Sequence, residues 1–557
     1  MKIIIIGSGI SGLSAAIRLA EKGARVTMIS PFCSERSQSV MAAGGINAVL
    51  DVGDPADSVE AHAEDTWRGG CCLESRRDIL TLCQKAPEYI RRLEEMGVAF
   101  QRDGEGRVCT RAFGGQSHSR TVYAGASTGK QIVTAMNQKC REYEILGSVR
   151  RVTGPVFHSA LIDRGTCRGV LTMDPLTGDL RAFYGDAVIM AVGGQNKLFG
   201  KTTGTETCDG YAAGRLFSQG VRLRNLEFIQ YHPTTIETSH KKMLISEAAR
   251  GEGGRLYYLR GGERVYFMEE RYGKKGNLMP RDIVSKCIWD CPSQVYLDVT
   301  FLGEERIRAR LGEVWELCRD YLDLDITKES IPISPAVHFF MGGIDVDARH
   351  ETNLRRLYAV GECASRYHGA NRLGGNSLLA AIHSGTTAAE AALARGPLAG
   401  SDKEGQAIFD GYIRRQEEEI RQLKASQSEY PAVYILREIA SVMNSSLGIT
   451  RDEKGLDNGI RDIRFFREAL NKLRLDPEVS LYENLRLRYM ALLALAILQS
   501  AKERRESRGA HIRSDHPETR ETMKKCSLAV YDKQEDRITV SFFDEETRDT
   551  REEGDGG

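Results

Sequence analysis

The first thirty residues combine two hydrophobic patterns. Ile3 to Ile6 are apolar without interruption, which is typical of a parallel strand buried on both faces. Residues 10 to 22 then repeat apolar side chains at the spacing of one helix face, and Gly23 follows as a helix C-cap. A second apolar run covers residues 25 to 30. The pattern therefore predicts a strand, a helix and a second parallel strand.

Three glycines occupy the predicted turn between the first strand and the helix. Gly7, Gly9 and Gly12 have the spacing that makes a tight turn, lets the backbone approach a pyrophosphate and permits close helix packing. The acidic residue that usually follows the second strand and binds a ribose is absent, and Ser30 stands in its place. A serine hydroxyl can still bond a ribose. The sequence therefore predicts a dinucleotide site that lacks the acidic residue typical of NAD-binding sites.

Similar patterns later in the chain divide it into domains. Strands that run into glycine are predicted at 186–194 and 356–362, so strands of one sheet lie on both sides of an inserted segment. The fold class is thus α/β, with a Rossmann-like dinucleotide-binding domain, an inserted α+β capping domain, a helical domain with solvated charged faces, and a C-terminal tail. Two strands are expected near 527–531 and 537–543, and disorder from 544 to 557. The predicted bounds are 1–235 with 341–399, then 236–340, 400–510 and 511–557.

Composition excludes several classes of function. The 77 basic and 77 acidic residues balance, so there is no electrostatic case for nucleic-acid binding. The thirteen cysteines form no CxxC motif, which indicates free thiols and no iron–sulfur or other metal site. The longest apolar run, Tyr489 to Leu498, is too short to span a bilayer, and the N-terminus has no signal-peptide pattern. We expect a cytoplasmic protein that does not insert into a membrane and would need a partner to work at one.

Candidate chemistry is concentrated between residues 225 and 380. Four clusters there combine histidine, arginine and carboxylate residues with glycine. Any one of these side chains would more often be a surface or ion-paired group, but their order and spacing together favour a functional site. The clusters are 227–234, 245–254, 279–282, and the paired segments 336–343 and 368–378.

These clusters, with Arg36-Ser-Gln38-Ser-Val40 and Glu506-Ser-Arg-Gly-Ala-His511, identify a family. From residue 1 to about 515 the chain resembles the flavoprotein subunits of fumarate reductase and succinate dehydrogenase, whose nearest cousin is L-aspartate oxidase. The resemblance implies that the dinucleotide is FAD and that reduced FAD transfers a hydride to fumarate, giving succinate. It also implies that an iron–sulfur subunit delivers the electrons.

The resemblance assigns substrate contacts to residues of the clusters. Fumarate and succinate carry a carboxylate at each end, so the pocket needs positive charge and hydrogen-bond donors at both ends. Arg372, with His338 beside it, would bind one carboxylate, and His232 with Ser246 would bind the other. The family usually has threonine at the place of Ser246, so the hydroxyl is kept and a methyl group is lost.

The resemblance also assigns the proton transfer. Arg281 matches the arginine that protonates the second alkene carbon in the family. Arginine is a weak acid in water, but it can serve when the carbanion is strongly basic and positive charge lies nearby. Arg250 would supply that charge. Glu247, three residues earlier on one helical face, would join the two arginines in a relay that returns the proton from solvent.

The expected flavin contacts form a larger set. Asp209 and Glu362 would bind ribose and ribityl hydroxyls, and the helix that begins at Asn376 would direct its free N–H groups at the pyrimidine end of the ring. Gln38 stands where most of the family has a histidine joined covalently to the flavin, so we expect FAD to be held noncovalently. The full set is Gly7, Ser8, Gly9, Ser11, Gly12, Ser30, Ser37, Gln38, Ser39, Gly44, Gly45, Asp209, Glu362, Asn376, Ser377 and Leu378.

Three alternatives stay open. L-aspartate oxidase has an acidic residue before a Gly-Gly pair to accommodate the substrate ammonium, whereas this chain has Phe113 before Gly114 and Gly115. A non-catalytic flavin module would not need the arginines and histidines. A reductase of another unsaturated acid differs only in pocket shape, which Ser246 and residues 235–242 could alter.

The family's covalent link raises the flavin potential, so its absence at Gln38 favours a fumarate reductase, with a succinate dehydrogenase as the alternative and the physiological direction left open. The sequence does not identify the ultimate electron donor.

Overall fold

The computed structural model describes residues 1–51, 54–125, 127–239, 241–398, 402–425, 430–470, 473–474, 480–546 and 548. Its central sheet has five strands, all parallel to their neighbours. The two strands predicted on either side of the inserted segment lie next to each other in this sheet. In spatial order the strands are Leu357–Ala359, Ala187–Met190, Lys2–Ile6, Arg25–Ser30 and Val149–Thr153.

The first strand is buried on both faces, as its uninterrupted apolar sequence predicts. Ile3 and Ile5 belong to one hydrophobic core, and Ile4 and Ile6 belong to another. The core of Ile3 and Ile5 contains the first helix, which packs against two later helices. The helices of this region are Ile10–Glu21, Val59–Gly69, Arg76–Glu95, Thr128–Ile145, Tyr211–Phe217 and Asn376–Ala394.

The predicted glycine turn is confirmed in its geometry. Gly7 has a φ of +110°, and a Cβ atom there would lie 2.1 Å from the carbonyl oxygen of Ala191. A Cβ atom on Gly12 would lie 2.4 Å from the carbonyl oxygen of Gly7. A side chain on Gly7 would therefore collide with the end of the neighbouring strand, and one on Gly12 would push the first helix away from the turn.

Two small antiparallel sheets extend this region. One is built from Ile46–Asn47, Thr121–Val122 and Thr110–Arg111, and the other from Val156–Asp163, Thr166–Met173 and Leu180–Tyr184. The first small sheet carries the loop that leads to Phe113.

The inserted segment forms a cap around a six-stranded antiparallel sheet. The predicted boundary at residue 235 falls inside one strand of this sheet, Ile229–Glu237, because that strand passes from the dinucleotide-binding region into the cap without a break. In spatial order the strands are Lys242–Leu244, Ile229–Glu237, Ile331–Phe340, Val295–Asp298, Arg255–Arg260 and Glu263–Val265. The cap helices are Ala248–Gly251, Phe267–Tyr272, Arg281–Trp289 and Glu304–Leu322.

The described residues between 402 and 503 are mostly helical, in the region where a helical domain is predicted, and the helices are Asp402–Ala425, Ala432–Ser446, Glu453–Leu470 and Leu481–Glu503. The last helix differs from the expectation of solvated charged faces, because most of it is buried, including Arg486 at 2% exposure.

Among the residues that the structure describes, no helix has both the length and the hydropathy needed to cross a membrane. Short strand pairs join Tyr430–Pro431 to Leu473–Arg474 and Thr450–Arg451 to Ile512–Arg513.

The two predicted tail strands pair with each other, and the first of them joins Leu223–Arg224. The prediction of disorder from residue 544 is wrong at Glu545, which is buried between Arg224 Nη1 at 2.9 Å and Arg366 Nη1 at 3.0 Å. Two buried guanidinium groups need a counter-charge, and Glu545 supplies it. Residues 549–557 lie outside the described residues. The sheet order is Ala364–Ser365, Gly343–Asp345, Leu223–Arg224, Cys526–Asp532 and Arg537–Phe543.

Candidate active site

One cavity brings together most of the residues singled out in the sequence. It begins at the glycine turn, at the carboxyl end of the first strand, and continues to the cap. All the predicted site residues except Gly12, Arg250 and Asn376 line it. The lining members of the predicted set are Gly7, Ser8, Gly9, Ser11, Ser30, Ser37, Gln38, Ser39, Gly44, Gly45, Phe113, Asp209, His232, Ser246, Glu247, Arg281, His338, Glu362, Arg372, Ser377 and Leu378.

The three exceptions have other contacts. Gly12 packs the helix on the turn, as described above. Arg250 lies behind Glu247, away from the cavity wall. The side chain of Asn376 bonds Asn47, His62 and Thr66 in the protein interior, so only the backbone of this residue is left to serve the predicted flavin contact. The helix does begin at Asn376, so the predicted helix start is confirmed.

Short hydrogen bonds order the turn at the dinucleotide end. Ser8 Oγ donates to Ser30 Oγ at 3.1 Å, and Ser39 Oγ accepts from the Ile10 N–H at 3.2 Å. Gln38 Oε1 accepts from the Thr205 N–H at 2.7 Å, which holds the loop beside the cavity. A tight glycine turn with serine hydroxyls beside it fits a pyrophosphate and ribose. The residues present therefore fit FAD.

Two buried carboxylates flank the middle of the cavity. Asp209 Oδ2 accepts from Tyr482 Oη at 2.8 Å and from Arg486 Nη1 at 3.2 Å. Burial raises the pKa of Glu362 to about 7, although the Phe340 N–H and the charge of Arg372 oppose the shift. Tyr482 also lines the cavity. No sequence pattern pointed to this contact, because Tyr482 lies on a distant helix of another domain.

At the cap end, Glu247 is the centre of an ion-paired cluster. Its Oε2 accepts from Arg281 Nη2 at 2.8 Å and Nε at 3.1 Å, and its Oε1 lies 3.3 Å from Arg250 Nη2. The Gly114 N–H also donates to Oε1 at 3.0 Å. Burial opposes ionisation of Glu247, but the two arginines outweigh it and lower its pKa to about 2. Glu247 is therefore an anion between two cations at neutral pH.

Local structure explains how the cluster is held. Arg281 is the first residue of the helix Arg281–Trp289, and the short helix Ala248–Gly251 places Arg250 one turn after Glu247. Arg250 Nη1 donates to the Asn277 carbonyl oxygen at 2.8 Å. A Cβ atom on Gly114 would lie 2.7 Å from Glu247 Oε1, so only glycine leaves room for the carboxylate there. In the sequence Gly114 is notable only as part of the glycine pair after Phe113, and its contact with Glu247 depends on the fold.

Two histidines face the same end of the cavity. The rings of His232 and His338 meet edge to face, with centroids 5.2 Å apart. His338 Nδ1 is bonded to Thr203 Oγ1 at 2.8 Å, a partner that the sequence did not suggest. His232 Nε2 is buried and has no partner among the described residues. Burial, followed by the charge of Arg281, lowers the pKa of both rings well below 6.5, so both are neutral.

Arg372 completes an anion site. Its guanidinium lies over the Phe339 ring, 4.2 Å from the centroid, and its Nη2 donates to Gln230 Oε1 at 3.0 Å. Burial and the charge of Arg281 lower the pKa of Arg372 well below 12.5. The site therefore gains electrostatically from a bound anion. Gln230 lay inside a cluster noted in the sequence, but only the fold shows that it contacts both arginines.

Ser246 and Phe113 complete the wall. Ser246 Oγ accepts from the Ala248 N–H at 3.3 Å, which leaves its hydroxyl hydrogen for a ligand. Phe113 is buried, and its ring lies 3.1 Å from the place that a Cβ atom on Gly44 would take. The wall that Phe113 forms is therefore aromatic, and the carboxylate next to it, Glu247, is already paired with Arg281 and Arg250. Cations and donors thus converge on one end of a cavity that fits FAD at the other.

Comparisons with known proteins support this assignment. Residues 2–378 match the family model of an FAD binding domain, and 436–552 match that of the fumarate reductase flavoprotein C-terminus. The chain is 36% identical to the succinate dehydrogenase flavoprotein subunit of Bacillus subtilis, covering 93% of this chain and 91% of that one. It is 34% identical to one subunit of the fumarate reductase (CoM/CoB) of Methanothermobacter marburgensis, covering 94% and 96%.

A solved structure of a fumarate reductase chain has the same fold as this chain. The FrdA chain of E. coli quinol fumarate reductase superposes with a TM-score of 0.87 at 30% identity, covering 98% of this chain and 97% of that one. The chain belongs to the family of flavoprotein subunits of succinate dehydrogenase and fumarate reductase, and it is an FAD-dependent oxidoreductase.

Proposed function

We propose that this chain is the flavoprotein subunit of a fumarate reductase. The observation that carries the proposal is the cluster of Arg281, Glu247 and Arg250, which lies beside Arg372 and two neutral histidines at the cap end of the cavity. That arrangement can bind an acid with two carboxylates and can also hold a proton donor. The first alternative is a succinate dehydrogenase, which catalyses the same reaction in the reverse direction. The second alternative is an L-aspartate oxidase.

Each residue of the site has its own task in this reaction. Arg372 and His338 bind one carboxylate of fumarate, and His232 with Ser246 binds the other. FAD, when bound and reduced, supplies a hydride to one alkene carbon. Arg281 gives a proton from its guanidinium to the other carbon, so that fumarate becomes succinate. Glu247 accepts hydrogen bonds from Arg281 and lies next to Arg250, and together they return a proton to Arg281.

The electrons come from a separate iron–sulfur subunit in this proposal. Two relatives support a multi-subunit system, since one is named as a subunit of a fumarate reductase (CoM/CoB) and another was solved as a quinol–fumarate reductase with menaquinol molecules. Those names differ in what they give beside fumarate reductase, CoM/CoB in one and menaquinol in the other, so the ultimate donor to this chain stays open among a quinol, a thiol and another carrier. We further propose that the chain is cytoplasmic and reaches the inner face of the membrane only through partner subunits.

Substrate choice gives the first prediction. Because Phe113 carries no charge for an ammonium group and the nearby Glu247 is already paired with two arginines, the enzyme should reduce fumarate and should not oxidise L-aspartate. Malonate, with two carboxylates and no ammonium, should compete with fumarate. Steady-state turnover of the purified holoenzyme with a reduced viologen dye measures the first rate, and peroxide release measures the second. Oxidation of L-aspartate at a rate comparable to fumarate reduction would favour the aspartate oxidase alternative.

The flavin attachment gives the second prediction. Gln38 has no ring nitrogen, and its Oε1 atom is already bonded to the Thr205 N–H. After acid precipitation the yellow flavin should therefore stay in the supernatant, and a denaturing gel should show no fluorescent protein band. The covalent link raises the flavin potential in the family, so its absence would favour fumarate reduction over succinate oxidation. Flavin that precipitates with the protein, or equal rates in both directions, contradicts this.

A further inference from the structure

Gln230 lies between the two arginines that the proposed reaction uses. Its Oε1 atom accepts from Arg281 Nη1 at 3.1 Å and from Arg372 Nη2 at 3.0 Å. Its Nε2 atom donates to the Arg372 carbonyl oxygen and to Asn371 Oδ1, both at 2.8 Å. A glutamine amide offers two acceptor and two donor positions, so all four are used. The opposite amide orientation would point N–H groups at two guanidinium groups.

These bonds connect two parts of the fold. Gln230 lies on the strand Ile229–Glu237, Arg281 starts a cap helix, and Arg372 lies in the loop before the helix Asn376–Ala394. Asn371 completes the connection, because its Nδ2 atom donates to Asp282 Oδ1 at 2.8 Å. The bonds therefore pass from Arg281 through Gln230 and Asn371 to Asp282, the next residue after Arg281. These bonds fix the position of the helix Arg281–Trp289 relative to the loop that contains Arg372.

The chemistry of the amide suits this place. Gln230 is fully buried and is not among the residues that line the cavity, so it acts on a ligand through the two arginines. An apolar side chain would leave two buried guanidinium groups without their shared acceptor, which is costly. A carboxylate would neutralise the positive charge that a bound acid requires. A neutral amide holds both cations and leaves their charge available.

We propose that Gln230 is a positioning residue that fixes Arg281 relative to Arg372, and hence the proton donor relative to the bound carboxylate. Asn371 supports it by bonding both Gln230 and Asp282. This inference rests on the proposed function, because it assumes that Arg281 gives the proton and that Arg372 binds a carboxylate.

The first test is Gln230→Leu in the holoenzyme. Malonate affinity, read from the change in the FAD absorption spectrum, and the kcat of fumarate reduction should both fall, with kcat/KM lower by about tenfold to hundredfold. FAD content should stay normal. Gln416→Leu is the matched control, since Gln416 is also buried and its Oε1 accepts from Arg215 Nη2 at 2.6 Å. That variant should keep malonate affinity and kcat.

A second test separates positioning from general support of the fold. In the double variant Gln230→Leu with Arg281→Lys, the loss of kcat should be smaller than the product of the two single losses, because Gln230 acts through Arg281. Single losses that multiply, or a Gln230→Leu enzyme within twofold of wild type, would overturn the inference. If Gln230→Leu does not fold, the near-isosteric Gln230→Glu replaces it. That variant should lose malonate affinity at pH 7, and unchanged affinity would overturn the inference equally.

The same experiments separate the two proposals. A wild-type enzyme that neither binds malonate nor reduces fumarate contradicts the proposed function. A wild-type enzyme that does both, together with an unaffected Gln230→Leu variant, contradicts only the positioning role of Gln230.

Discussion

Arg281→Lys should lower the rate of fumarate reduction by about 10²- to 10⁴-fold, which is the contribution of one positioned acid. Lysine keeps the charge, but its single ammonium cannot bond Glu247 through two nitrogens and reach Gln230 with a third. The proton donor would therefore be misplaced relative to the alkene carbon. The rate is measured with a reduced viologen dye at saturating fumarate.

The matched control for this variant is Arg255→Lys. Arg255 also forms a two-nitrogen pair in the cap, with Glu269 at 2.7 and 2.6 Å, but it lies away from the cavity. Its replacement should leave turnover close to wild type. FAD content, read from the absorbance ratio, should be normal in both variants. If Arg281→Lys retains a tenth or more of wild-type activity, Arg281 is not the proton donor.

Glu247→Gln should lower turnover by about 10²-fold or more, because an amide cannot carry the proton back to Arg281. It should also destabilise the protein by about 3 kcal/mol, since Arg281 and Arg250 would be left buried without their anion. Urea unfolding of the holoenzyme measures the second effect. The control is Glu269→Gln, whose partly exposed pair should contribute at most about 1 kcal/mol.

The stability effect of Glu247 has a defined pH dependence. Its pKa is lowered from 4.5 to about 2, so the carboxylate stabilises the folded state above pH 4.5 and loses that effect as the pH falls towards 2. The stability difference between wild type and Glu247→Gln should therefore be constant at neutral pH and shrink below about pH 4.5. A difference that stays constant as the pH falls from 5 to 3 would show that the pKa of Glu247 is not lowered.

Local patterns predicted the parts of this molecule that depend on neighbours in sequence. The strand Lys2–Ile6 follows from an uninterrupted apolar run, and the turn at Gly7 follows from the spacing of three glycines. The pairing of Glu247 with Arg250 follows from a spacing of three residues. The return of the chain to the central sheet at Leu357–Ala359 was also predictable, because a buried parallel strand has a recognisable composition. The family resemblance then implied that the clusters, although distant in sequence, belong to one site.

Hydrogen bonds and ion pairs between side chains that lie far apart in the sequence were not predictable. Gln230, Thr203 and Tyr482 are ordinary polar residues in sequence, and each matters only because the fold places it against an arginine, a histidine or a carboxylate. The side-chain bonds of Asn376 were unpredictable for the same reason, since a helix start indicates free N–H groups and does not reveal which way its first side chain points. Glu545 has the sequence context of a solvated acidic tail, and only the fold reveals its two buried arginine partners.

The bond between Asp209 and Tyr482 makes the helical region a wall of the cofactor cavity. Arg486, one turn further along the same helix, strengthens that wall by pairing with the same carboxylate. A ligand that contacts Tyr482 binds the assembled wall more tightly than a wall without it, so by thermodynamic linkage its binding stabilises that assembly by the same difference in free energy. Flavin binding should therefore add to the stability of the contact between the helix Leu481–Glu503 and the dinucleotide-binding region, beyond what the buried apolar face of that helix supplies.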